Sequence, residues 1–501
     1  MSQHIPISCN YSSLPPEIWG LVIEYLPRTD QRSCLSVSAA FRGLTHPLIF
    51  SRISIHYGMW KARERDVGFS FEDLRLMERR SISNAELLQH VTRDAHFARS
   101  VRTISVHAHD AMKWCNADDI QHLIAALESI PRLQSFQWYG SRPPLPSSVL
   151  DVITKNCGST LTELSICGIL DSDEDASRYL GQFSNLRTLS VAGDRRHLPI
   201  YTRSEYELRI KTCVQHSPHT LLRLSVWQDA VWDTPLRVLS GLQELSMYNP
   251  CSLDRLDIIF AQCPRLRSLN LTITSPTCVP QALAVLEAAP SNALPHLTSF
   301  KFVCTDDSGV INLGPFFAFL GNRPAMRRLD LRFNELFRGM VDYTRFLDIF
   351  AGLPQLEVVG LTLAGSYFSR EHLRLLDARL PRGLSALLLT WAFIPVDDDV
   401  MVRDWIAMLE RRPSLGYIHV HDYVDSLDLR DAFLQARLPA LELVGYGAHM
   451  ASIEHGDQAT NESVYGPRWK EETVGFGTAE DFGCGDWAWL LQYHDWDELV
   501  A

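Results

Sequence analysis

Four clusters in this chain carry residue types that bind metals or start helices. Asp171-Ser172-Asp173-Glu174-Asp175 begins like a calcium loop, but the sixth position is Ala176 and the twelfth is Gln182. Such a loop needs glycine for its turn and a bidentate glutamate at its end. His107-Ala108-His109 and His419-Val420-His421-Asp422 each set two imidazoles on one face of an extended strand, without a third ligand close in sequence. Asp397-Asp398-Asp399 fits the negatively charged start of a helix. None of the 11 cysteines stands in Cys-x-x-Cys spacing or beside an identifiable base and orienting group. They read as buried thiols in a reducing compartment. No phosphate-binding Gly-Lys-Ser/Thr loop, Gly-x-Ser-x-Gly elbow or Gly-x-Gly-x-x-Gly fingerprint occurs in the sequence. The expectation is a non-enzyme that needs no cofactor and no metal.

What remains is recognition chemistry, and it recurs with a period. From Val101 onward the unit Leu-x-x-Leu-x-Leu returns, often introduced by proline. Clear copies are Leu161-Thr162-Glu163-Leu164-Ser165-Ile166, Leu186-Arg187-Thr188-Leu189-Ser190-Val191 and Leu242-Gln243-Glu244-Leu245-Ser246-Met247. Later copies start near Leu266, Leu297, Met326, Leu356, Leu384, Leu415 and Leu441. From Leu133 to Leu441 there are eleven intervals over 308 residues, a mean of 28. That spacing lies in the roughly 20–29 residue range of leucine-rich repeats. In such a strand the second and third apolar residues point to the core, and those between and after them line the opposite, concave face. The position between reads Ser105, Gln137, Ser165, Ser190, Ser225, Ser246, Asn270, Lys301 and Asp330; the next position brings Tyr139, Trp227, Tyr248 and Arg332. Aromatic and arginine side chains are the usual interface anchors. Tyr139, Trp227 and Tyr248 are expected as exposed aromatics on this face, and with Lys301, Arg328 and Arg332 they are the candidate residues for binding a protein substrate, or the chain's own tail.

Helix patterns alternate with these strands, among them 117–130, 148–156, 253–262, 281–289, 370–380 and 400–411, and several stop at a proline. The expected fold is α/β: a curved solenoid of about 12–13 irregular repeats over 101–450, with strands concave and helices convex.

The N-terminal stretch has a different grammar. Ile18, Leu21, Val22, Tyr25 and Leu26 fall at helical spacing behind Pro15 and Pro16. Two further short helices follow, near 30–37 and around Phe41 and Leu44. Three helices this short bury little apolar surface alone, so they dock on the chain or offer a patch to a partner. Leu14-Pro15-x-Glu17-Ile18, Leu21-Val22, Tyr25-Leu26-Pro27, Asp30, Leu35, Val37-Ser38, Phe41-Arg42 and Leu44 resemble an F-box. The departures are Gly20, Gln31 and Arg32. With the repeats behind it, the chain resembles fungal-type F-box/leucine-rich-repeat substrate receptors of SCF ubiquitin ligases. The resemblance implies that Leu14, Pro15, Ile18, Leu21, Val22, Leu26, Pro27, Leu35, Val37 and Phe41 dock on the small cullin-adaptor subunit, or build the module's own core. The repeats would hold the substrate. The alternative is an interaction scaffold whose F-box-like helices only cap the solenoid.

Composition sets the outer limits. Of 501 residues, 46% are hydrophobic and 21% charged, which is globular composition. The net charge of -12 opposes nucleic-acid binding as the main task. No apolar run is long enough to span a membrane, and the first ten residues lack a leader pattern, so the expected compartment is cytoplasm or nucleus. Residues 451–501 carry eleven acids against Arg468 and Lys470. Trp469, Trp487, Trp489 and Trp496 stand among those acids. Three arrangements are open for this acidic aromatic tail: a cap on the last repeat, a strap across the concave face that neutralises its basic residues, or an open partner motif. Its aromatic content favours packing. Residues 1–50 are the expected helical module and 51–100 a connector of helices.

Overall fold

A computed structural model describes residues 14–26, 28–60, 70–109, 115, 117–167, 179–192, 211, 214–216, 219–275, 277–304, 313–321, 323–333, 343–362, 369–391, 399–422, 427–446, 449–455, 463–469, 474 and 477–491. The chain divides into two compact units. The first takes residues 1–59, 69–189 and 193–200, and the second takes 60–68, 190–192 and 201–501.

The first unit opens with α1 (Pro16–Glu24), α2 (Arg28–Val37) and α3 (Ala39–Ile49). Proline in the first turn of α1 costs no hydrogen bond, because that N–H has no helical partner in any case. Ser38 starts α3 by accepting from the Phe41 N–H. The chain then enters β1 (Arg52–Gly58), which pairs in parallel with β2 (Thr103–His109). The connector over 51–100 therefore holds a strand as well as helices. Phe50-Ser51-Arg52-Ile53-Ser54-Ile55 keeps the spacing of the repeat with Phe50 in place of the leading leucine, so no leucine marks it. Its strand character comes from burying Ile53 and Ile55 beside Ile104 and Val106. The helical part of the connector is one long helix, α4 (Phe71–Arg93), begun by a reciprocal Ser70–Asp73 capping box, and then α5 (Ala95–Ser100). α6 (Ala117–Ser129) and α7 (Ser147–Cys157) precede the parallel strands β3 (Ser135–Arg142) and β4 (Glu163–Cys167), respectively. β5 (Thr188–Ala192) falls at the division between the units.

Among the described residues of the second unit, nine strands run parallel in sequence order. They are β6 (Arg223–Trp227), β7 (Glu244–Tyr248), β8 (Ser268–Ile273), β9 (Ser299–Cys304), β10 (Arg328–Phe333), β11 (Val358–Thr362), β12 (Ala386–Trp391), β13 (Tyr417–Asp422) and β14 (Leu443–Tyr446). Between them lie α8 (Leu236–Leu239), α9 (Leu256–Gln262), α10 (Cys278–Ala288), α11 (Gly314–Gly321), α12 (Tyr343–Asp348), α13 (Arg370–Arg379), α14 (Asp399–Glu410) and α15 (Leu427–Ala436). Strand after strand the same register repeats: Leu269, Phe300, Leu329, Val359, Leu387 and Ile418 align, as do Leu271, Phe302, Leu331, Leu361, Leu389 and Val420. All twelve are buried. These strand–helix units make a leucine-rich-repeat-type α/β fold.

A backbone clamp fixes that register. The carbonyl of Arg267 accepts from the N–H groups of both Thr298 and Ser299, Thr298 does the same for Arg327 and Arg328, and Arg327 for Glu357 and Val358. Each repeat therefore begins by closing two donors of its strand onto one acceptor of the previous repeat. The residue before the proline that introduces a repeat is buried. It is apolar at Ile130, Cys263 and Leu353, but Arg at 323 and 412. Arg323 donates to the carbonyls of Ala293, Leu294 and Phe319, and Arg412 to those of Asp377, Leu380 and Met408. Guanidinium groups are tolerated there because a helix end supplies unsatisfied carbonyls.

The array closes with a reversal. β15 (His449–His455) pairs antiparallel with β14, and β16 (Ser463–Tyr465) antiparallel with β15. The expected boundary at 450/451 thus runs through a strand, and part of the acidic tail belongs to the sheet. The remainder forms α16 (Ala479–Phe482) and α17 (Gly485–Leu491).

Candidate recognition surface

The second unit carries two parallel rows of side chains on the strand face opposite the leucine stacks. One row runs Ser268, Ser299, Arg328, Val358, Ala386, Tyr417 and Leu443. The other runs Asn270, Lys301, Asp330, Gly360, Leu388, His419 and Gly445. The early strands supply polar and cationic groups, and the later strands supply apolar ones together with His419.

At the centre sits a buried charge cluster. Asp330 has no exposure, Lys301 lies 3.4 Å from its Oδ2, and Arg332 clasps it with Nε at 2.7 Å from Oδ1 and Nη2 at 3.0 Å from Oδ2. Fork-on-carboxylate geometry makes the Arg332 contact the stronger of the two. Gly360 is the neighbour that permits it: a Cβ there would stand 2.2 Å from Asp330 Oδ1. Burial pushes the Lys301 ammonium down to about 8, against the opposing pull of Asp330.

This surface is covered by the chain's own tail. Lys301 Nζ donates to the carbonyls of Trp489 at 2.7 Å and Leu490 at 3.2 Å, at the C-terminal end of α17. A cation there also meets the negative end of the helix dipole. Two cations meet the Trp489 ring, with Lys301 Nζ at 4.8 Å and Arg328 Cζ at 5.1 Å from its centroid. Its indole N–H points to Asn270 Oδ1 at 3.2 Å and Ser268 Oγ at 3.3 Å. Asp486, in the first turn of α17, approaches Arg327 at 3.5 Å and Arg328 at 3.6 Å. Trp487 packs on Tyr417 with ring centroids 5.7 Å apart, and Gly416 leaves the space: a Cβ there would be 2.9 Å from Trp487 Cζ2. Leu490 and Leu491 join Val358, Ala386, Leu388 and Leu443 in one buried cluster. Of the three tail arrangements, the strap across the strand face is the one observed, together with a strand cap from β15 and β16.

The six candidate binding residues are therefore dispersed in role. Lys301 and Arg328 hold the tail, and Arg332 holds Asp330. Trp227 and Tyr248 are buried, which corrects the expectation of exposed aromatics; each lies beside the other in the register of β6 and β7, so neighbouring strands cover them. Tyr139 belongs to the first unit, half-buried and stacked on His107 at 5.4 Å, which stacks in turn on His56 at 4.6 Å. Sequence reasoning missed Ser268, Gly416 and Tyr417, and placed Asn270 on the face without giving it a role. Their chemistry is ordinary until the tail arrives over them. The calcium-like loop at 171–175 lies outside the described residues. Among the described residues no three His, Cys, Asp or Glu side chains group as metal ligands.

The N-terminal helices of the first unit form a second surface. Leu14, Ile18, Leu21, Val22 and Val37 are 45, 42, 52, 42 and 64% exposed, and Tyr25 is 88% exposed. Pro15 is exposed, Leu26, Leu35 and Phe41 are half-buried, and Pro27 lies outside the described residues. Phe41 is turned to the module's own core, against Trp19 with ring centroids at 5.2 Å. The amide donor of the buried Gln31 is satisfied. Its Nε2 donates to the carbonyls of Leu26, Ile23 and Glu24 at 3.0, 3.1 and 3.3 Å, capping the end of α1. The module is moored through α3 and the residue after it: His46 and Phe50 meet Phe97 of α5.

No helix among the described residues is long and apolar enough to cross a membrane. No protein-family model matches the chain, and no curated protein matches it. Solved structures similar to it include the leucine-rich-repeat-containing protein LegL7 from Legionella pneumophila, at 17% identity and a TM-score of 0.35, covering 62% of this chain and 93% of that one. A protein from Bacteroides fragilis aligns at 13% identity with a TM-score of 0.24, covering 74% of this chain and 83% of its own.

Proposed function

We propose that this protein is a substrate-recognition adaptor of an SCF-type cullin-RING ubiquitin ligase. Its N-terminal helices would dock on the small adaptor subunit and its repeats would hold a protein substrate. Ubiquitin transfer belongs to other subunits, so the contribution of this chain is proximity and orientation.

The observation that supports this reading is the apolar surface of α1 and α2. Leu14, Ile18, Leu21, Val22 and Val37 stay open while Ile23 and Cys34 are buried. A free-standing module gains nothing from that exposure, whereas a docking face does. The test is binding of the purified full chain to the small cullin-adaptor subunit. The wild type is expected to bind, and Leu14→Ala/Pro15→Ala together with Leu21→Asp to lose at least tenfold in affinity. Failure of the wild type to bind would favour the scaffold alternative. The mooring of α3 on Phe97 supports that second reading, since it also lets the helices act as a cap.

A further inference from the structure

The contacts of α17 describe a binding specificity as well as a fold. Two of them are blind to sequence: Lys301 reads the carbonyls of Trp489 and Leu490, which any short helix ending there would present. The others select side chains. Arg327 and Arg328 face an acid, Lys301 and Arg328 meet an indole whose N–H goes to Asn270 and Ser268, and Tyr417 with Gly416 receives a second tryptophan. The surface beneath is a poor permanent exterior. Without cover it would present Val358, Ala386, Leu388 and Leu443 to water. It has the composition of an interface centre, with Trp, Tyr and Arg anchors around apolar ground.

We infer that α17 is an intramolecular stand-in for a partner segment, occupying the substrate surface of the repeats until that segment displaces it. The partner chemistry is that of α17 itself: a short helical segment with an acid in its first turn, two tryptophans at i and i+2, and aliphatic residues after them. The tethered copy competes at high effective concentration, so a partner must bind in more places than α17 does or arrive when α17 is loosened. The ion pairs from Asp486 at 3.5 and 3.6 Å are long and partly exposed, which makes the first turn of α17 the place where opening starts. This deepens the receptor reading by locating its holding surface, and its test needs no cullin adaptor, so either claim can fail while the other stands.

The experiment uses the full-length protein and a fluorescein-labelled peptide, Gly-Asp-Trp-Ala-Trp-Leu-Leu. Fluorescence anisotropy is expected to show weak binding to the wild type and at least tenfold tighter binding to W489A, whose tail has lost its anchor. Adding R328A to W489A should cost the peptide tenfold or more, and a peptide with both tryptophans changed to alanine should not bind. Equal affinity of wild type and W489A, or no binding to either, would overturn the inference. Hydrogen exchange on the unmodified wild type gives a second reading that does not depend on a variant folding. Amides of Ala488 to Leu491 should exchange through local opening, at least a hundredfold faster than those of Leu329 to Leu331. Exchange of both segments at one common rate would make α17 a permanent part of the core and end the proposal.

Discussion

Lys301 and Trp489 meet across 188 residues of chain, the ammonium donating to the Trp489 carbonyl at 2.7 Å and lying 4.8 Å from the centre of its ring. One side chain thus satisfies a helix end, forms a cation–π contact and pairs with Asp330. Each role compensates part of the cost of holding an ammonium away from water, which is several kcal/mol for an unpaired ion.

Breaking that arrangement from one side should be worse than removing it. Lys301→Met leaves Asp330 with Arg332 alone and leaves two carbonyls of α17 without a donor. A loss of about 3 kcal/mol in unfolding free energy is expected, as for buried pairs that lose one member. Lys301→Met combined with Asp330→Leu should cost clearly less than the two single losses added together. Chemical denaturation of the four proteins completes the cycle; simple additivity would show that the two groups do not interact.

The same lysine gives a pH dependence of defined sign. Its folded value is lowered to about 8 from the 10.5 of an unperturbed lysine. Between these values the unfolded chain binds the proton and the folded chain releases it, so unfolding takes up protons. The Lys301 contribution therefore rises as pH climbs from about 8 to about 10.5, and is flat below 8, where both states are protonated. The wild type should gain stability relative to Lys301→Met across that window. A difference that stays constant from pH 7 to 10.5 would contradict the burial of the ammonium.

Gly360→Ala tests the packing of the charge cluster without touching a charge. The added methyl would lie 2.2 Å from Asp330 Oδ1 and 3.2 Å from its Cβ, both on a side chain held by Arg332. Destabilisation of about 1–3 kcal/mol is expected, the usual cost of an overpacked site. Gly321→Ala is the control, since a Cβ there meets nothing within 4 Å. Thermal unfolding separates the two; equal melting temperatures would mean that the Asp330 carboxylate moves aside freely.

Much of this fold was legible because each repeat solves the same local problem. Leucine spacing marked β3 to β14, prolines marked where helices stop, and the α1 stripe marked an amphipathic helix. β1 escaped because its copy of the pattern, Phe50-x-x-Ile53-x-Ile55, contains no leucine, and it becomes a strand only when β2 supplies a partner. Trp227 and Tyr248 were misjudged because alternation gives the face on which a side chain lies and says nothing of what else covers that face.

Sequence alone determined the repeat period, the apolar stripe of the first helix, the positions of Lys301, Arg328 and Arg332 on one strand face, and the acidic tryptophan-rich character of the tail. These are periodic or compositional properties, readable over a few residues. The tertiary structure decided what those cations hold. A contact between Lys301 and Trp489 is set by the path of the whole chain between them, and no local pattern encodes that path. It is the stacking of repeats that carries Ser268, Lys301, Arg328 and Tyr417 onto one surface, where a seven-residue helix can bury its tryptophans against them.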